Sequence, residues 1–407
     1  MARRSLRTFD WGLLATIVAL TGVGMVLVYT ASRVPAYPGK SVLFDRQLLW
    51  LGLGTVALGI TAAVPFRVWE EYSHFFYGVG VLLLVAVLAV GVEREGARRW
   101  LGAGSFRFQP SEMAKLATIL LVARLLARPR LDLKRLSTLV PIALLAGIPF
   151  VLILLEPDLG TSLSLPAAVI PMLYWAGFPL GTLAMVASPL VSVLLSWNLW
   201  VWLGFLGLLV LFLTGTRVRR SVTIVVLALN MVTGAGAPLL WNALHGYQRE
   251  RVLTFLNPEK DPANAGYQVI QSKIAIGSGG LVGKGFLKGT QKGLAFLPEQ
   301  HTDFIYSVLG EEFGFLGCAG VLFLFALFIG RSLSLAVRSR SRFAGILVVG
   351  ICGMIVFHVA VNVSMTVGFA PVTGLPLPFL SYGGTFLLTT LVQCGLLLNV
   401  ALRRNEV

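Results

Sequence analysis

Glu299, His301 and Asp303 place two carboxylates and an imidazole within five residues, with Thr302 between them, where a polar stretch gives way to an apolar run. Burial at such a boundary raises a carboxylate's pKa toward that of a useful general base. The same position suits a helix cap at Asp303. One His beside two acids is too few for a zinc-type site, whereas Glu299 and Asp303, with phosphate oxygens and water, would serve Mg²⁺ or Mn²⁺. Just upstream, Gly277-Ser278-Gly279-Gly280-Leu281-Val282-Gly283-Lys284-Gly285 lets backbone N–H groups approach an anion, and Lys284 adds charge. It is not a Walker motif, because Gly follows the Lys. Arg249 and Lys273 are further cations of the same stretch.

Two further sets stand at the edges of apolar runs. Glu112 and Lys115, three apart, share a helix face and can pair; a bland interfacial pair closing a helix end fits the spacing equally well. In Glu156-Pro157-Asp158-Leu159-Gly160-Thr161-Ser162, Asp158 is placed to cap the following helix, and capping explains it about as well as function does.

The elements that must carry these residues follow from composition. Of 407 residues, 56% are hydrophobic and 13% charged, the latter about half the share of a soluble chain. Such a chain cannot cover a globular surface, and a polytopic membrane protein remains. The net charge of +15 sits in short basic clusters between apolar runs, which is the pattern of cytoplasmic loops and not of a nucleic-acid partner. Cys318, Cys352 and Cys394 lie inside apolar runs without CxxC spacing, as inert thiols do. The run from Trp11 follows Arg3, Arg4 and Arg7 and reads as a retained first helix.

The spacing predicts an all-α fold with twelve spans, near 11–30, 46–64, 75–92, 112–128, 137–155, 160–176, 179–196, 198–215, 221–242, 304–330, 343–365 and 379–402. Pro and Gly interrupt 160–196, and Trp197 and Trp200 mark an interfacial turn between two closely spaced helices. Placing both termini in the cytoplasm puts more than half of the 33 basic residues on that side. Residues 1–407 then form a single membrane-embedded domain whose long loop, 243–303, is extracytoplasmic and holds nine Gly and twelve charged residues. Within it Tyr267, Ile270 and Ile274 have helical spacing, which predicts a short interfacial or re-entrant helix. A lipid-linked diphosphate is the anion at that face of a membrane.

Several strings, in order, resemble the SEDS family, and within it the RodA-type branch: Arg99-Trp100; Phe108-Gln109-Pro110-Ser111-Glu112; Pro157 to Ser162; Tyr247-Gln248-Arg249; Gly266-Tyr267-Gln268 through Ser272 to Gly280; Leu297-Pro298-Glu299 with His301 to Ile305; and Pro376-Leu377-Pro378-Phe379-Leu380-Ser381-Tyr382-Gly383-Gly384. Where the division branch carries Lys before Gly-Leu-x-Leu-Pro, this chain has Thr373, which favours the elongation branch. The resemblance implies a peptidoglycan glycosyltransferase that polymerises lipid II at the outer face of the cytoplasmic (inner) membrane. It implies Asp303 as catalytic residue, Glu299 as a functional acid of the same loop, and Glu112 with Lys115 as a working pair. Arg99, Trp100, Asp158, Arg249, Lys273, Lys284, His301 and Thr302 fall at supporting or substrate-binding positions.

The implied partners are lipid II, the nascent glycan strand, membrane lipid, the elongation machinery and a class B penicillin-binding protein, since no Ser-x-x-Lys transpeptidase set is found outside. A divalent cation, Mg or Mn, is the only cofactor implied, with no organic cofactor. The family usually has ten helices, so the surplus falls between about 179 and 242. A lipid II flippase, a polymerase or ligase of another lipid-linked glycan, and a non-catalytic scaffold are the alternatives; a major-facilitator transporter would join two six-helix halves by a cytoplasmic connection, not an external one after the ninth helix.

Overall fold

In the computed structural model the described residues are 10–33, 42–94, 97–102, 107–129, 131, 138–216, 220–243, 249, 253–255, 265–290 and 299–403. Each expected apolar run carries a helix, although the last begins only at Gly384, 379–383 being a turn, and Val92 at the end of the third belongs to a strand. The helices are α1 (Trp11–Ser32), α2 (Val42–Ala63), the short α3 (Phe66–Glu71), α4 (Ser73–Val90), α5 (Pro110–Leu126), α6 (Leu139–Leu155), α7 (Leu159–Ala176), α8 (Leu180–Leu195), α9 (Leu199–Gly215), α10 (Arg220–Ala235), α11 (Ala237–Ala243), α12 (Ala265–Gly279), α13 (Ile305–Arg338), α14 (Arg342–Val367) and α15 (Gly384–Arg403). Eight helical segments among the described residues are long and apolar enough to cross a membrane; α6, α8 and α9 are shorter apolar helices. The remaining expected span is α5, 17 residues long and carrying Glu112, Lys115 and Arg124. Pro149 in α6, Pro166 and Pro171 in α7 and Pro189 in α8 sit inside helices, as membrane spans tolerate when neighbours re-satisfy the freed backbone groups.

α14 is the central post: it packs against α5, α7, α12 and α13, and most of its side chains are buried. α15 lies along α2, where Asn399 and Arg403 donate to the carbonyls of Thr61, Ala62, Ala63 and Val64. The last carbonyls of α2, which no helical N–H can reach, are thereby satisfied.

Three departures from the sequence reading matter. A two-stranded antiparallel ribbon, β1 (Val92–Arg94) with β2 (Ala97–Trp100), follows α4 and holds Arg99. The expected re-entrant helix is present as α12, but the face it buries is Gly266, Val269, Ser272, Ala275 and Gly279, while Tyr267 and Ile270 are half-buried and Ile274 exposed. Small residues let α12 approach α13 so closely that a Cβ at Gly279 would collide with the Gly310 carbonyl; the bulkier apolar residues are left outward.

The third departure is in α13, expected as one continuous span, which breaks at Gly314, two residues after the Glu311-Glu312 pair, where φ is 64°. The segment 280–285 fills the break. Phe315 and Leu316 donate to the carbonyls of Gly280 and Leu281, and Lys284 and Gly285 donate to those of Glu311 and Glu312. Gly at 314 is required twice, for its left-handed backbone and because a Cβ would enter that loop.

α8, α9 and α10 occupy the region of the expected surplus. They share a core of Met185, Leu209, Leu213 and Val226. Asn230 donates to Ser188, and Trp202 to Ser192, at 2.8 and 2.6 Å. Interhelical hydrogen bonds of this kind join helices where lipid removes the hydrophobic driving force. The unit meets the rest of the bundle chiefly along α7 and α8.

Candidate active site

The turn 299–304 precedes α13 and carries Asp303. Glu299 closes it: its carbonyl accepts the N–H groups of Thr302 and Phe304 at 3.3 and 3.2 Å, and its Oε2 accepts the Thr302 hydroxyl at 3.1 Å. Gln300 Nε2 anchors the turn to the Ala31 carbonyl of α1 at 3.2 Å. Three successive carbonyls are then held from outside the turn. The Tyr382 N–H donates to His301 O at 2.8 Å, Ser381 Oγ to Thr302 O at 2.6 Å, and Asn362 Nδ2 to Asp303 O at 2.9 Å. The His301 ring also lies against Tyr382, with centroids 5.6 Å apart. The N-cap position of α13 falls on Phe304, whose side chain makes no cap bond, and Asp303 stands one residue before it. Asp303 is half-buried, on a backbone fixed from three sides.

Behind Asp303 the buried Phe304 packs with Val269, Ala275, Met365 and Val372. Ser272 pins α12 there, its hydroxyl 2.6 Å from Ser307 Oγ and from the Thr366 carbonyl. Lys273 follows immediately, exposed, and its side chain crosses Gly368, where any Cβ would collide with it. Lys273 is therefore the cation carried by the helix that packs directly behind Phe304.

Arg99 reaches from β2 to the junction of α6 and α7. Its Nε donates to the Glu156 carbonyl at 3.1 Å and lies 3.8 Å from Asp158 Oδ2, and its other nitrogen donates to Pro157 O. Asp158 also caps α7 through Thr161 N at 3.1 Å, so capping and pairing coexist in one side chain. Trp100 pairs with Val92 across the ribbon. At the second residue of α7, Gly160 packs against Thr373 and Leu375. Leu375 is held by the same Asn362 amide, at 2.8 Å, that holds Asp303, so both clusters meet on one segment.

Glu156, in that junction outside both helices, is 1% exposed, and neither carboxylate oxygen has a hydrogen-bond partner among the described residues. Burial, with Asp158 adding to it and Arg99 opposing, pushes its pKa up to about 8.

Glu112 and Lys115 pair at 2.8 Å, both buried, Lys115 completely. Sequence reasoning missed their continuation: Lys115 Nζ is 3.4 Å from Nε2 of His358, whose Nδ1 is 3.3 Å from the Pro376 carbonyl. It missed Asn362 as well. Two polar residues four apart inside an apolar span were the available signal, since such groups are costly at membrane depth unless they have a task.

Lys284 and Arg249 are engaged elsewhere. Lys284 Nζ is 2.7 Å from both Glu311 Oε1 and Thr290 Oγ1, and Glu311 also accepts the Thr290 N–H at 2.7 Å. The glycine-rich loop is thus latched onto the broken helix by its own Lys. Arg249 donates to Trp241 O at 2.7 Å and to Asn242 at 3.3 Å. Tyr247, Gln248, Leu297 and Pro298 lie outside the described residues. Among the described residues no group of three or more His, Cys, Asp or Glu is placed to hold a metal ion.

The model of the FtsW/RodA/SpoVE cell cycle proteins matches residues 11–201 and 182–406, two segments that overlap in the α8–α9 region. The peptidoglycan glycosyltransferase MrdB of Escherichia coli K12 is 38% identical over 382 residues, covering 93% of this chain and 91% of that protein. The peptidoglycan glycosyltransferase RodA of Treponema pallidum is 36% identical, covering 99% and 100%. A chain from a structure describing coordination of polymerization and crosslinking by a peptidoglycan synthase complex superposes with a TM-score of 0.73 at 33% identity, covering 98% of this chain and 99% of that one. The crystal structure of Thermus thermophilus rod shape determining protein RodA gives 0.65 at 29% identity, with 98% of each chain covered. Matches of this extent show that the chain belongs to the FtsW/RodA/SpoVE family, the SEDS proteins, and is of RodA type.

Proposed function

We propose that this chain is a peptidoglycan glycosyltransferase of cell elongation, which polymerises lipid II with Asp303 as general base. The observation that carries the base assignment is the turn 299–304: three consecutive carbonyls are fixed by Tyr382, Ser381 and Asn362, and the N-cap position of the helix that follows is taken by Phe304. Relatives named as peptidoglycan glycosyltransferases across nearly the whole chain support the reaction class.

In the reaction the 4-hydroxyl of the acceptor GlcNAc attacks the anomeric carbon of the donor strand. A new glycosidic bond forms as the bond to undecaprenyl diphosphate breaks, and the hydroxyl proton passes to Asp303. A positioned base supplies roughly 10²–10⁴-fold in such a step. The departing diphosphate gains negative charge, which Lys273 is the candidate to meet, because it is exposed on the helix that packs behind Phe304 and Lys284 and Arg249 are committed elsewhere. Arg99 bridges the α6–α7 junction beside Asp158 and lines the same end of the bundle. A divalent cation fits Glu299 and Asp303 only as an ion sharing its remaining ligands with substrate oxygens and water; bound there, it would neutralise charge developing on the diphosphate.

This reading places the turn at the outer membrane face with both termini in the cytoplasm, in agreement with the basic clusters. A class B penicillin-binding protein is the cross-linking partner it calls for, in keeping with the synthase complex found for the structural relative. The test is glycan formation from lipid II by the purified protein in detergent, with and without such a partner. Chain formation supports the reading. Absence of glycan in both conditions, with lipid II crossing proteoliposome membranes, would replace it with a transporter.

A further inference from the structure

His358 and Asn362 are four residues apart on α14 and share a face. They touch consecutive carbonyls of one segment: His358 Nδ1 is 3.3 Å from Pro376 O, and Asn362 Nδ2 is 2.8 Å from Leu375 O. A few residues on, the same segment folds into the turn that grips the site. Ser381 Oγ accepts the Leu377 N–H at 2.8 Å while donating to Thr302 O, and the Tyr382 N–H donates to His301 O. From α2, Gln47 Oε1 accepts the Gly383 N–H at 3.2 Å. Whatever fixes Pro376 therefore fixes the backbone beneath Asp303.

On its other side the His358 ring meets Lys115, which is paired with Glu112. The ring is 2% exposed and lies beside Phe386, with centroids 5.3 Å apart. A lysine ammonium only donates and a carbonyl only accepts. One form of imidazole satisfies both neighbours: neutral, with the proton on Nδ1 donated to Pro376 O and the bare Nε2 accepting from Lys115. The other tautomer aims an N–H at an ammonium, and an imidazolium does the same with an added like charge.

We propose that His358, as the Nδ1–H tautomer, is a positioning residue for Asp303, transmitting the Glu112–Lys115 pair to the Pro376–Tyr382 segment that holds the turn. The inference rests on the assignment of Asp303 as base, and it connects the buried ion pair on α5 to the turn that precedes α13. His358 touches neither substrate nor reacting atoms; it acts through Pro376.

The test joins polymerisation kinetics to ¹⁵N NMR of the imidazoles in the purified full-length protein. The chain has four His, and His358 is assigned by the signal lost in His358→Gln. In the parent protein Nδ1 should be protonated and Nε2 bare, and Lys115→Met should weaken that preference. His358→Phe, which keeps the ring but no nitrogen, should lower kcat by about 10- to 100-fold, the cost of a small misplacement of a reacting group, with little change in KM. His358→Gln, which offers both an acceptor and a donor, should recover most of that loss. Lys115→Met with His358→Phe should be little slower than either alone.

An Nε2–H tautomer in the parent protein, or a His358→Phe enzyme at parental kcat, overturns the proposal. So does a His358→Gln enzyme that loses melting temperature while keeping full kcat, which would mark a purely structural role. If His358→Phe does not fold, the tautomer and the Gln variant decide. A parent protein that makes no glycan would defeat the functional reading instead, and the tautomer would still report on the bridge.

Discussion

Asn362 binds the Asp303 carbonyl and the Leu375 carbonyl with the same side-chain amide, at 2.9 and 2.8 Å. A residue of the central helix thereby holds both the turn that carries the carboxylate and the segment against which the Arg99–Asp158 cluster packs. Asn362 is fully buried, so Asn362→Leu leaves two carbonyls without their donor. Each such loss costs about 1–3 kcal/mol. We expect a lowered melting temperature together with a kcat reduced by more than tenfold, because the backbone under Asp303 is released. A variant that melts lower yet keeps parental kcat would confine Asn362 to stability.

Glu112 and Lys115 form an ion pair shut away from solvent. Removing one partner leaves a buried charge, at a cost of about 3–5 kcal/mol, whereas removing both is less damaging. Glu112→Gln and Lys115→Met should each impair polymerisation and thermal stability, with the double variant less than additive. Small, additive effects would return the pair to an inert helix end.

Glu156 supplies a pH dependence. Its carboxyl is raised from 4.5 to about 8 in the folded protein, so between those values the native state holds a proton that the unfolded state has lost. Its stability contribution is complete below the unfolded value and is lost as pH rises through the folded one, at up to about 1.4 kcal/mol per pH unit. Melting temperature followed from about pH 6 to about pH 9 should fall in the parent and fall less in Glu156→Gln. Identical slopes would sink the assignment.

The chain declares its site unevenly. The cluster from Glu299 to Asp303 was legible because ionisable groups at the edge of an apolar run need a reason to be there, and the twelve helices were legible because lipid demands long apolar runs. The segment Pro376–Gly384 was legible as a family marker but not as a cradle, since its work is done by backbone carbonyls and N–H groups whose partners lie some 80 residues away in sequence, as with Ser381 and Thr302. The break at Gly314 was not legible, because Gly310, Gly314 and Gly317 look alike in an otherwise apolar span and the segment 280–285 that fills the break lies some 30 residues away in sequence. The Lys284 latch was hidden for a related reason: a glycine-rich loop with a Lys looks alike whether it faces an anion or its own Glu311.

Sidedness is open to direct labelling. Lys288 and Arg338 are both exposed, and the three native Cys are buried and free, so they contribute little background. In intact cells a Cys at position 288 should react with an impermeant thiol reagent and one at 338 should not. Reaction at 338 alone would invert the topology and move the Asp303 turn to the cytoplasm.

Asp303→Asn separates the remaining possibilities. Asn keeps the size and much of the hydrogen bonding of Asp, and its backbone carbonyl remains available to Asn362, so the turn should survive. What is lost is the proton acceptor. Polymerisation should fall by roughly 10²-fold or more, with melting temperature and partner binding near those of the parent. A helix cap would predict a mild effect, because Asn caps about as well as Asp. A scaffold would show no polymerisation in either protein, and a flippase would lose translocation without having been a polymerase. The assay is glycan chain formation from lipid II in detergent, where sidedness plays no part. Because Tyr382, Ser381 and Asn362 hold backbone carbonyls that the substitution leaves in place, a slow but folded Asp303→Asn enzyme places the defect in the side chain itself. A variant that keeps more than about a tenth of the parental rate would remove Asp303 from the role of base.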